Sequence, residues 1–221
     1  MIQMKTALLA GATGLVGGQL LQELLHHPEY GEVIAFVRRP LYVQHPKLKQ
    51  VTVDYDNPAS YADPIQTAHD IFCCLGTTIK TAGSQDAFRQ VDYTYPLQLA
   101  QLALGSPNLQ KFLIITALGS NPASKIFYNR VKGEVERDLQ ALALPSLHIF
   151  RPSLLLGDRQ EFRLGERVGS VFSRALAFAT PKKYRPIQAL TVARAMLRVA
   201  QEGPSQGAHV YESDQLQTLG R

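Results

Sequence analysis

Up to residue 150, short apolar segments alternate with longer amphipathic segments, and this pattern predicts an α/β fold. Buried strands are predicted at residues 5–10, 33–37, 51–53, 71–75, 112–116 and 147–150. Helices are predicted between them at residues 14–27, 85–104 and 127–142, and the second is expected to be interrupted or kinked near Pro96. Strands that are apolar throughout are typical of parallel sheets covered by helices on both faces. The sequence therefore predicts a doubly wound parallel sheet with right-handed crossovers.

The pattern becomes less regular after residue 150. Helical spacing returns at residues 166–179 and 191–201, a short strand is predicted at 209–211, and a helical turn at 214–219. This region is too short for a second domain of ordinary size. We therefore interpret residues 1–221 as a single domain, in which residues 157–189 form a wall or lid on the substrate side.

A glycine-rich turn joins the first predicted strand to the first predicted helix. Glycines at every third position resemble the spacing of the dinucleotide-binding fingerprint. They would allow a tight turn, a close approach of backbone to pyrophosphate, and close packing of helix on strand. The N–H groups of the helix N-terminus would then face the phosphates. The residues expected to line this turn are Gly11, Thr13, Gly14, Leu15, Val16 and Gly17. A glycine turn without a ligand is the alternative.

The end of the second strand indicates which dinucleotide would bind. NAD sites usually carry an acidic residue there, whereas arginine accommodates the 2′-phosphate of NADP. Arg38 and Arg39 occupy this place, and the next acidic residue is Asp54. Because the arginine fork matches a phosphate dianion, we expect NADP(H). A solvated basic turn is the alternative.

Two further strand ends are candidates for the adenosine half of the cofactor. Asp54 follows the third strand and could accept a hydrogen bond from the adenine amino group, although a turn-forming role is equally compatible. Leu75, Gly76 and Thr77 follow the fourth strand and could pass beneath the adenine-side ribose.

The helix after the fifth strand carries a candidate proton donor. Tyr128 and Lys132 are four residues apart and therefore share one face of this helix. Glu134 and Glu136 of the same helix are expected to be exposed. Carbonyl reduction needs a proton for the developing alkoxide, and an ammonium beside a phenol favours its ionisation. Lys132 would also hold the nicotinamide ribose. Thr116, at the end of the fifth strand, could hydrogen-bond the substrate carbonyl.

Composition narrows the remaining possibilities. The 221 residues are 45% hydrophobic and carry a net charge of +5, with basic residues spread along the chain, so we expect no nucleic-acid partner. Cys73 and Cys74 are adjacent, and the histidines form no ligand-spaced cluster, so neither a disulfide nor a metal is expected. No signal peptide and no apolar run of about 20 residues is recognisable. We expect a soluble, cytoplasmic protein without a membrane partner.

Together these residues resemble the short-chain dehydrogenase/reductase superfamily. Residues 88–93 (FRQVDY), 128–136 (YNRVKGEVE), 150–159 (FRPSLLLGDR) and 192–197 (VARAML) narrow the resemblance to one atypical subgroup. This subgroup contains the HIV Tat-interacting oxidoreductase and its bacterial relatives. The resemblance covers essentially the whole chain, and it implies a Rossmann fold and NADPH binding.

The resemblance also implies roles for individual residues. It makes Tyr128 the acid/base and Lys132 the residue that tunes it and holds the ribose. A segment flanking the nicotinamide would be formed by Pro152, Ser153 and Leu154.

Two positions depart from the superfamily pattern. The usual Ser-Ser pair reads Thr116-Ala117, so that Ser120 would have to supply the hydroxyl if the second position carries the chemistry. Asp92 stands where extended members of the superfamily usually have Asn.

The leading hypothesis is an NADPH-dependent reductase of a small carbonyl substrate. One alternative is an NADPH-sensing regulatory protein that binds a protein partner without turnover. A second is a nucleotide-sugar epimerase or dehydratase. Neither the substrate nor the oligomeric state, monomer or homodimer, can be deduced from these patterns.

Overall fold

The computed structural model describes residues 4–157 and 180–221. The strands are β1 Lys5–Ala10, β2 Tyr30–Val37, β3 Leu48–Thr52, β4 Asp70–Cys73, β5 Lys111–Ile115, β6 Ser146–Arg151, β7 Leu155–Leu156, β8 Ile187–Gln188 and β9 Gly207–Glu212. The α-helices are α1 Leu15–His26, α2 Ala62–Gln66, α3 Ile79–Ala82, α4 Gln85–Arg89, α5 Tyr95–Ala103, α6 Phe127–Ala141, α7 Ala189–Gln201 and α8 Ser213–Leu219.

The architecture is a seven-stranded sheet in the order β3-β2-β1-β4-β5-β6-β9. Every neighbouring pair is parallel, which confirms the predicted doubly wound sheet. The chain proceeds outward from β1 in one direction to β3, and in the other through β4 to β9. The carboxyl ends of β1 and β4 therefore flank the point where the order reverses, which is where this class of fold binds ligands.

Alternating residues of each strand pack into two separate hydrophobic cores. In β1, Ala7 and Leu9 belong to one core and Leu8 and Ala10 to the other, because successive strand residues point to opposite faces. Helices α1 and α7 contribute Leu20, Leu24, Val192 and Met196 to the first core. Helices α5 and α6 contribute Leu99, Ala103, Val135 and Leu139 to the second. The sheet is thus buried on both faces, as its continuous apolar strands predict.

The long predicted helix at residues 85–104 is divided into three parts. Helix α4 is followed by a π-helical segment, Gln90–Thr94, and then by α5. The interruption therefore lies slightly before Pro96, which occupies the first turn of α5. Such π segments often occur at functional sites.

The C-terminal region both extends the sheet and covers it. Strand β9 pairs in parallel with β6 from Ser146–Gly207 to Arg151–Glu212, so it is longer than predicted. The two short strands β7 and β8 form a separate small sheet. Residues 158–179, which include the predicted helix at 166–179 and most of the expected substrate wall, lie outside the described residues. Within residues 4–157 and 180–221, no helix has the length and apolarity that a membrane span requires.

Candidate active site

The glycine turn after β1 is packed too closely for side chains. Gly11 has a φ of +90°, and a Cβ there would lie 2.5 Å from the carbonyl oxygen of Cys74. A Cβ on Gly17 would lie 2.1 Å from the Gly11 carbonyl oxygen. Gly14 donates its N–H to that same oxygen at 2.9 Å, which closes the turn. Two of the three glycines are therefore required by backbone contacts within this turn and with the end of β4.

The N-terminus of α1 has the features of a phosphate-binding site. Gly14 is its N-cap and provides no side chain to cap the helix, and the first turn contains no acidic residue. Thr13 is exposed beside it, whereas Val16 is buried and Leu15 is partly buried. An uncapped helix N-terminus offers N–H groups and a positive dipole end to an anion. These residues fit the pyrophosphate of a dinucleotide.

The segment after β6 approaches the same turn. A Cβ on Gly157 would lie 2.8 Å from Cδ1 of Leu15. Gly157, which directly follows β7, therefore lies close to the start of α1.

The two arginines after β2 are exposed. Neither Arg38 nor Arg39 forms an ion pair with another described residue. Arg38 lies near Tyr55, whose hydroxyl is buried and whose pKa lies above its usual range because of that burial. The carboxylate of Asp54 accepts a hydrogen bond from the backbone N–H of Asp56 at 3.0 Å, which is the turn-forming role.

The segment after β4 is linked to the π-helical segment by one buried carboxylate. Asp92 is 1% exposed, and its Oδ2 accepts a hydrogen bond from the backbone N–H of Thr77 at 2.9 Å. A Cβ on Gly76 would lie 3.4 Å from Asp92 Oδ1. Leu75 packs against the core formed by α5 and α6. Asp92 therefore holds the segment that the sequence assigns to the adenine-side ribose.

The predicted pair on α6 lies at this same place. The Nζ of Lys132 is 2.8 Å from Oδ1 of Asp92, and both side chains are buried. Tyr128 interacts electrostatically with Lys132, and its ring lies 5.5 Å from that of Phe88. The Tyr128 hydroxyl makes no hydrogen bond to any described residue, and it is therefore available to a ligand.

The charge of Lys132 is retained in spite of its burial. Burial lowers the pKa of Lys132, but Asp92 and, less strongly, Tyr128 raise it, so its net pKa is above the usual lysine value. The neighbouring Cys73 thiol is uncharged at neutral pH, because burial raises its pKa to about 12. The pair on α6 thus consists of a phenol beside a buried ammonium ion.

Thr116 is buried at the end of β5. It is 4% exposed, and its hydroxyl donates a hydrogen bond to Oε1 of Glu136. The backbone N–H of Thr116 pairs with the Phe150 carbonyl at 2.8 Å. Thr116 therefore continues the strand, and its side chain is directed towards α6.

Glu136 is buried, whereas the sequence predicted it to be exposed. It is 2% exposed and pairs with Arg151, whose Nε lies 3.1 Å from both Glu136 carboxylate oxygens. Arg151 also contacts Glu212 at 3.1 Å, so the network joins α6 to the ends of β6 and β9. The signal for it was the spacing of Tyr128, Lys132 and Glu136, which are one helical turn apart on one face.

The remaining candidates lie in the loops that follow β5 and β6. The Ser120 hydroxyl is largely buried and donates to the Ala117 carbonyl at 2.7 Å. Pro152 is buried, and its carbonyl accepts from the Leu118 N–H at 2.9 Å. Ser153 donates to the Arg185 carbonyl and accepts from Ser213, while Leu154 is 45% exposed.

No metal centre is formed by the part of the chain that the structure describes. Its His, Cys, Asp and Glu side chains include no group of three or more that could hold an ion.

Comparison with known proteins agrees with this geometry. The family model described as NAD(P)H-binding matches residues 11–202. The rat protein HTATIP2 is 36% identical over 200 residues, which cover 89% of this chain and 81% of that protein. The chain belongs to the short-chain dehydrogenase/reductase superfamily, in its atypical NAD(P)H-binding branch. This membership supports a nicotinamide dinucleotide as the cofactor and confirms the resemblance drawn from the sequence motifs.

A second group of relatives corrects the expected localisation. The protein FMP52 of Debaryomyces hansenii, named mitochondrial, is 31% identical over 209 residues, covering 91% of this chain and 90% of its own. The Saccharomyces cerevisiae protein of the same name, also called mitochondrial, is 34% identical over 155 residues, which cover 69% of this chain and 66% of its own. The expectation of a cytoplasmic protein is therefore contradicted by these names.

Solved structures of low sequence identity share the fold. The Bordetella bronchiseptica enzyme WbmH in complex with NAD+ has a TM-score of 0.72 at 18% identity, with 95% of this chain and 76% of that chain covered. A short-chain dehydrogenase from Burkholderia cenocepacia in complex with NADP has a TM-score of 0.68 at 16% identity, with 94% and 89% covered. These similarities confirm the Rossmann-type fold.

Proposed function

We propose that this protein is an NADPH-dependent oxidoreductase that reduces a small carbonyl compound. The observation that carries the proposal is the buried Lys132 ammonium beside Tyr128, whose hydroxyl has no hydrogen-bond partner among the described residues. A site that only bound the dinucleotide could use the Lys132 ammonium to hold the ribose, but it would not need a phenol beside that ammonium. We further propose that residues 1–221 act as one domain, with residues 157–189 on the substrate side.

The proposed chemistry divides between cofactor and protein. The nicotinamide, when bound, supplies the hydride. Tyr128 donates a proton to the oxygen of the substrate carbonyl, and Lys132 stabilises the phenolate that remains. Lys132 also holds the nicotinamide ribose, while the glycine turn and the N-terminus of α1 bind the pyrophosphate.

The preference for NADPH rests on the end of β2. The guanidinium groups of Arg38 and Arg39 are exposed there, and Asp54 already accepts a hydrogen bond within its own turn. A 2′-phosphate would supply the anionic partner that these arginines have nowhere among the described residues. An Arg38→Asp variant should therefore lose its preference for NADPH over NADH, as measured from the two dissociation constants by fluorescence titration.

The second hydroxyl of the site is assigned to Ser120 rather than to Thr116. The Ser120 hydroxyl is bonded only to a backbone carbonyl, so rotation about one side-chain bond frees it for a substrate. The Thr116 hydroxyl is bonded to a buried carboxylate within an ion-pair network, and turning it would leave that carboxylate less satisfied. Ser120→Ala should accordingly reduce turnover without changing NADPH affinity.

The proposal is tested by NADPH oxidation with a panel of aldehydes, ketones and quinones. Tyr128→Phe should abolish turnover and leave NADPH binding intact, because the phenyl ring keeps its packing against Phe88. Absence of oxidation with every compound, together with unchanged cellular function of Tyr128→Phe, would favour a regulatory protein that senses NADPH without turnover.

A further inference from the structure

We propose that Asp92 is a positioning residue that keeps the buried ammonium of Lys132 charged, fixed beside Tyr128, and coupled to the cofactor-binding segment after β4. This inference rests on the proposed function for its catalytic meaning. Its structural part concerns only residues of this chain, and it can be measured without any substrate.

The geometry gives the two oxygens of Asp92 different partners. Oδ1 lies 2.8 Å from Lys132 Nζ, and Oδ2 accepts from the N–H of Thr77 at 2.9 Å. The side chains of Asp92 and Lys132 are only 1% and 5% exposed, so water cannot replace either contact. One carboxylate thereby connects the segment expected under the ribose to the residue expected to stabilise the phenolate.

The π-helical segment explains how Asp92 reaches this place. Asp92 lies in the middle of Gln90–Thr94, between α4 and α5. The wider turn of a π segment displaces its side chains from the regular positions of an α-helix. The Asp92 side chain consequently lies beside Gly76, shortly after the carboxyl end of β4. A Cβ on Gly76 would lie 3.4 Å from Asp92 Oδ1 and 3.8 Å from Lys132 Nζ.

A negative charge is needed here because burial opposes the charge on Lys132. Three groups interact electrostatically with the ammonium: Asp92 from the π segment, Tyr128 from α6 and Cys73 from β4. Among them only Asp92 is a carboxylate, and the thiol of Cys73 is uncharged at neutral pH. Without the carboxylate, desolvation would favour the neutral amine, and a neutral amine stabilises a phenolate far less than an ammonium ion does.

The decisive variant is Asp92→Asn, since it separates charge from shape. An asparagine can still accept the hydrogen bond from Thr77 N–H through its carbonyl oxygen. Its amide NH₂ would then face the Lys132 ammonium, so that two donors oppose each other and the counter-charge is lost. The segment after β4 should therefore stay in place while the ammonium loses its counter-ion.

The measurement is an NMR titration of the lysine side chains in the cofactor-free protein, with the Lys132 signal assigned through Lys132→Arg. In Asp92→Asn, we expect the pKa of Lys132 to fall by about one to three units, the range typical for an opposite charge at this distance. Asp92→Glu should restore most of the difference. A Lys132 titration that is unchanged in a folded Asp92→Asn protein would overturn the proposal.

The matched control is Glu134→Gln, which removes one negative charge from α6 two residues away from Lys132. Glu134 pairs with Arg89 on another face of the helix, so the Lys132 titration should not move. An equal shift in both variants would mean that Asp92 acts only through the overall charge, and would also overturn the proposal.

A second measurement covers the case in which Asp92→Asn does not fold. Acetic anhydride reacts with neutral amines. In competitive acetylation of the wild-type protein, the rate for Lys132, taken relative to its own plateau at high pH, should therefore rise at a higher pH than the corresponding relative rates of the exposed lysines. Reaction of Lys132 in parallel with the exposed lysines would contradict the inference. Failure of the NADPH oxidation panel would instead contradict the proposed function and leave both results unaffected.

Discussion

Replacing Glu136 by glutamine should destabilise the protein far more than the same replacement at Glu134. The two glutamates lie two residues apart on α6, and the sequence predicts both to be exposed. In the structure the Glu136 side chain is 3% exposed and pairs with Arg151, whereas Glu134 pairs with Arg89, whose side chain is 41% exposed. The pair of variants therefore compares a buried ion-pair network with a more exposed single ion pair.

The magnitude follows from the contacts that are lost. Glutamine at 136 can still accept from Thr116, but its NH₂ group would oppose the Arg151 guanidinium, which retains only Glu212 at 3.1 Å. Breaking a buried ion pair typically costs about 3–5 kcal/mol. Since the Arg151 side chain is 24% exposed, water replaces part of the loss, and we expect about 2–4 kcal/mol. Glu134→Gln should cost no more than about 1 kcal/mol.

Urea unfolding at neutral pH, followed by circular dichroism and by tyrosine fluorescence, measures both values. Coincident transitions and equal m-values would show that the two variants unfold as the wild type does. Free energies of unfolding that fall by the same amount in both variants would refute the reasoning, because burial of the Glu136 network would then contribute nothing.

Two further predictions concern folding and the glycine turn. His148 is buried, and this burial is the main reason why its pKa is lowered to about 4. As the pH falls from about 6.5, the usual pKa of histidine, to about 4, the imidazole therefore gains a proton in the unfolded chain but not in the folded protein. The free energy of unfolding should decrease by up to roughly 3 kcal/mol as the pH is lowered through this range. A His148→Asn variant, unfolded with urea at a series of pH values, should lack this decrease. Gly17→Ala should abolish NADPH binding, because its Cβ would meet the Gly11 carbonyl oxygen at 2.1 Å. Gly18→Ala, whose nearest contact is 3.6 Å, should bind normally in the same fluorescence titration.

Most of the fold was predictable because it depends on local patterns. Each predicted strand of the sheet is present, with ends that differ by a few residues, since apolar runs of this length are stable only when buried on both faces. The glycine turn was predictable for a similar reason, because a close backbone approach excludes every side chain. The break in the helix at 85–104 was located less well. Pro96 is the visible signal, but the π segment Gln90–Thr94 precedes it, and no local residue pattern marks that segment.

The sequence predicted which residues form the candidate site better than it predicted the contacts that their side chains make. Tyr128, Lys132 and the glycines are recognised from spacing, because helical periodicity places the first two on one face. The partner of each polar group was not predictable in this way. Thr116 at a strand end has the same local sequence context whether its hydroxyl faces a substrate or a buried carboxylate.

The sequence by itself determined the parallel sheet, the position of the phosphate-binding turn and the family to which the chain belongs. The sheet follows from the periodicity of apolar residues, the turn from the spacing of its glycines, and the family from short sequence motifs. Only the tertiary structure decided how the buried charges pair. Asp92 and Lys132 are 40 residues apart, and Thr116, Glu136, Arg151 and Glu212 come from four separate parts of the chain. Burial makes an unpaired charge costly, but packing of the whole domain determines which opposite charge lies within reach.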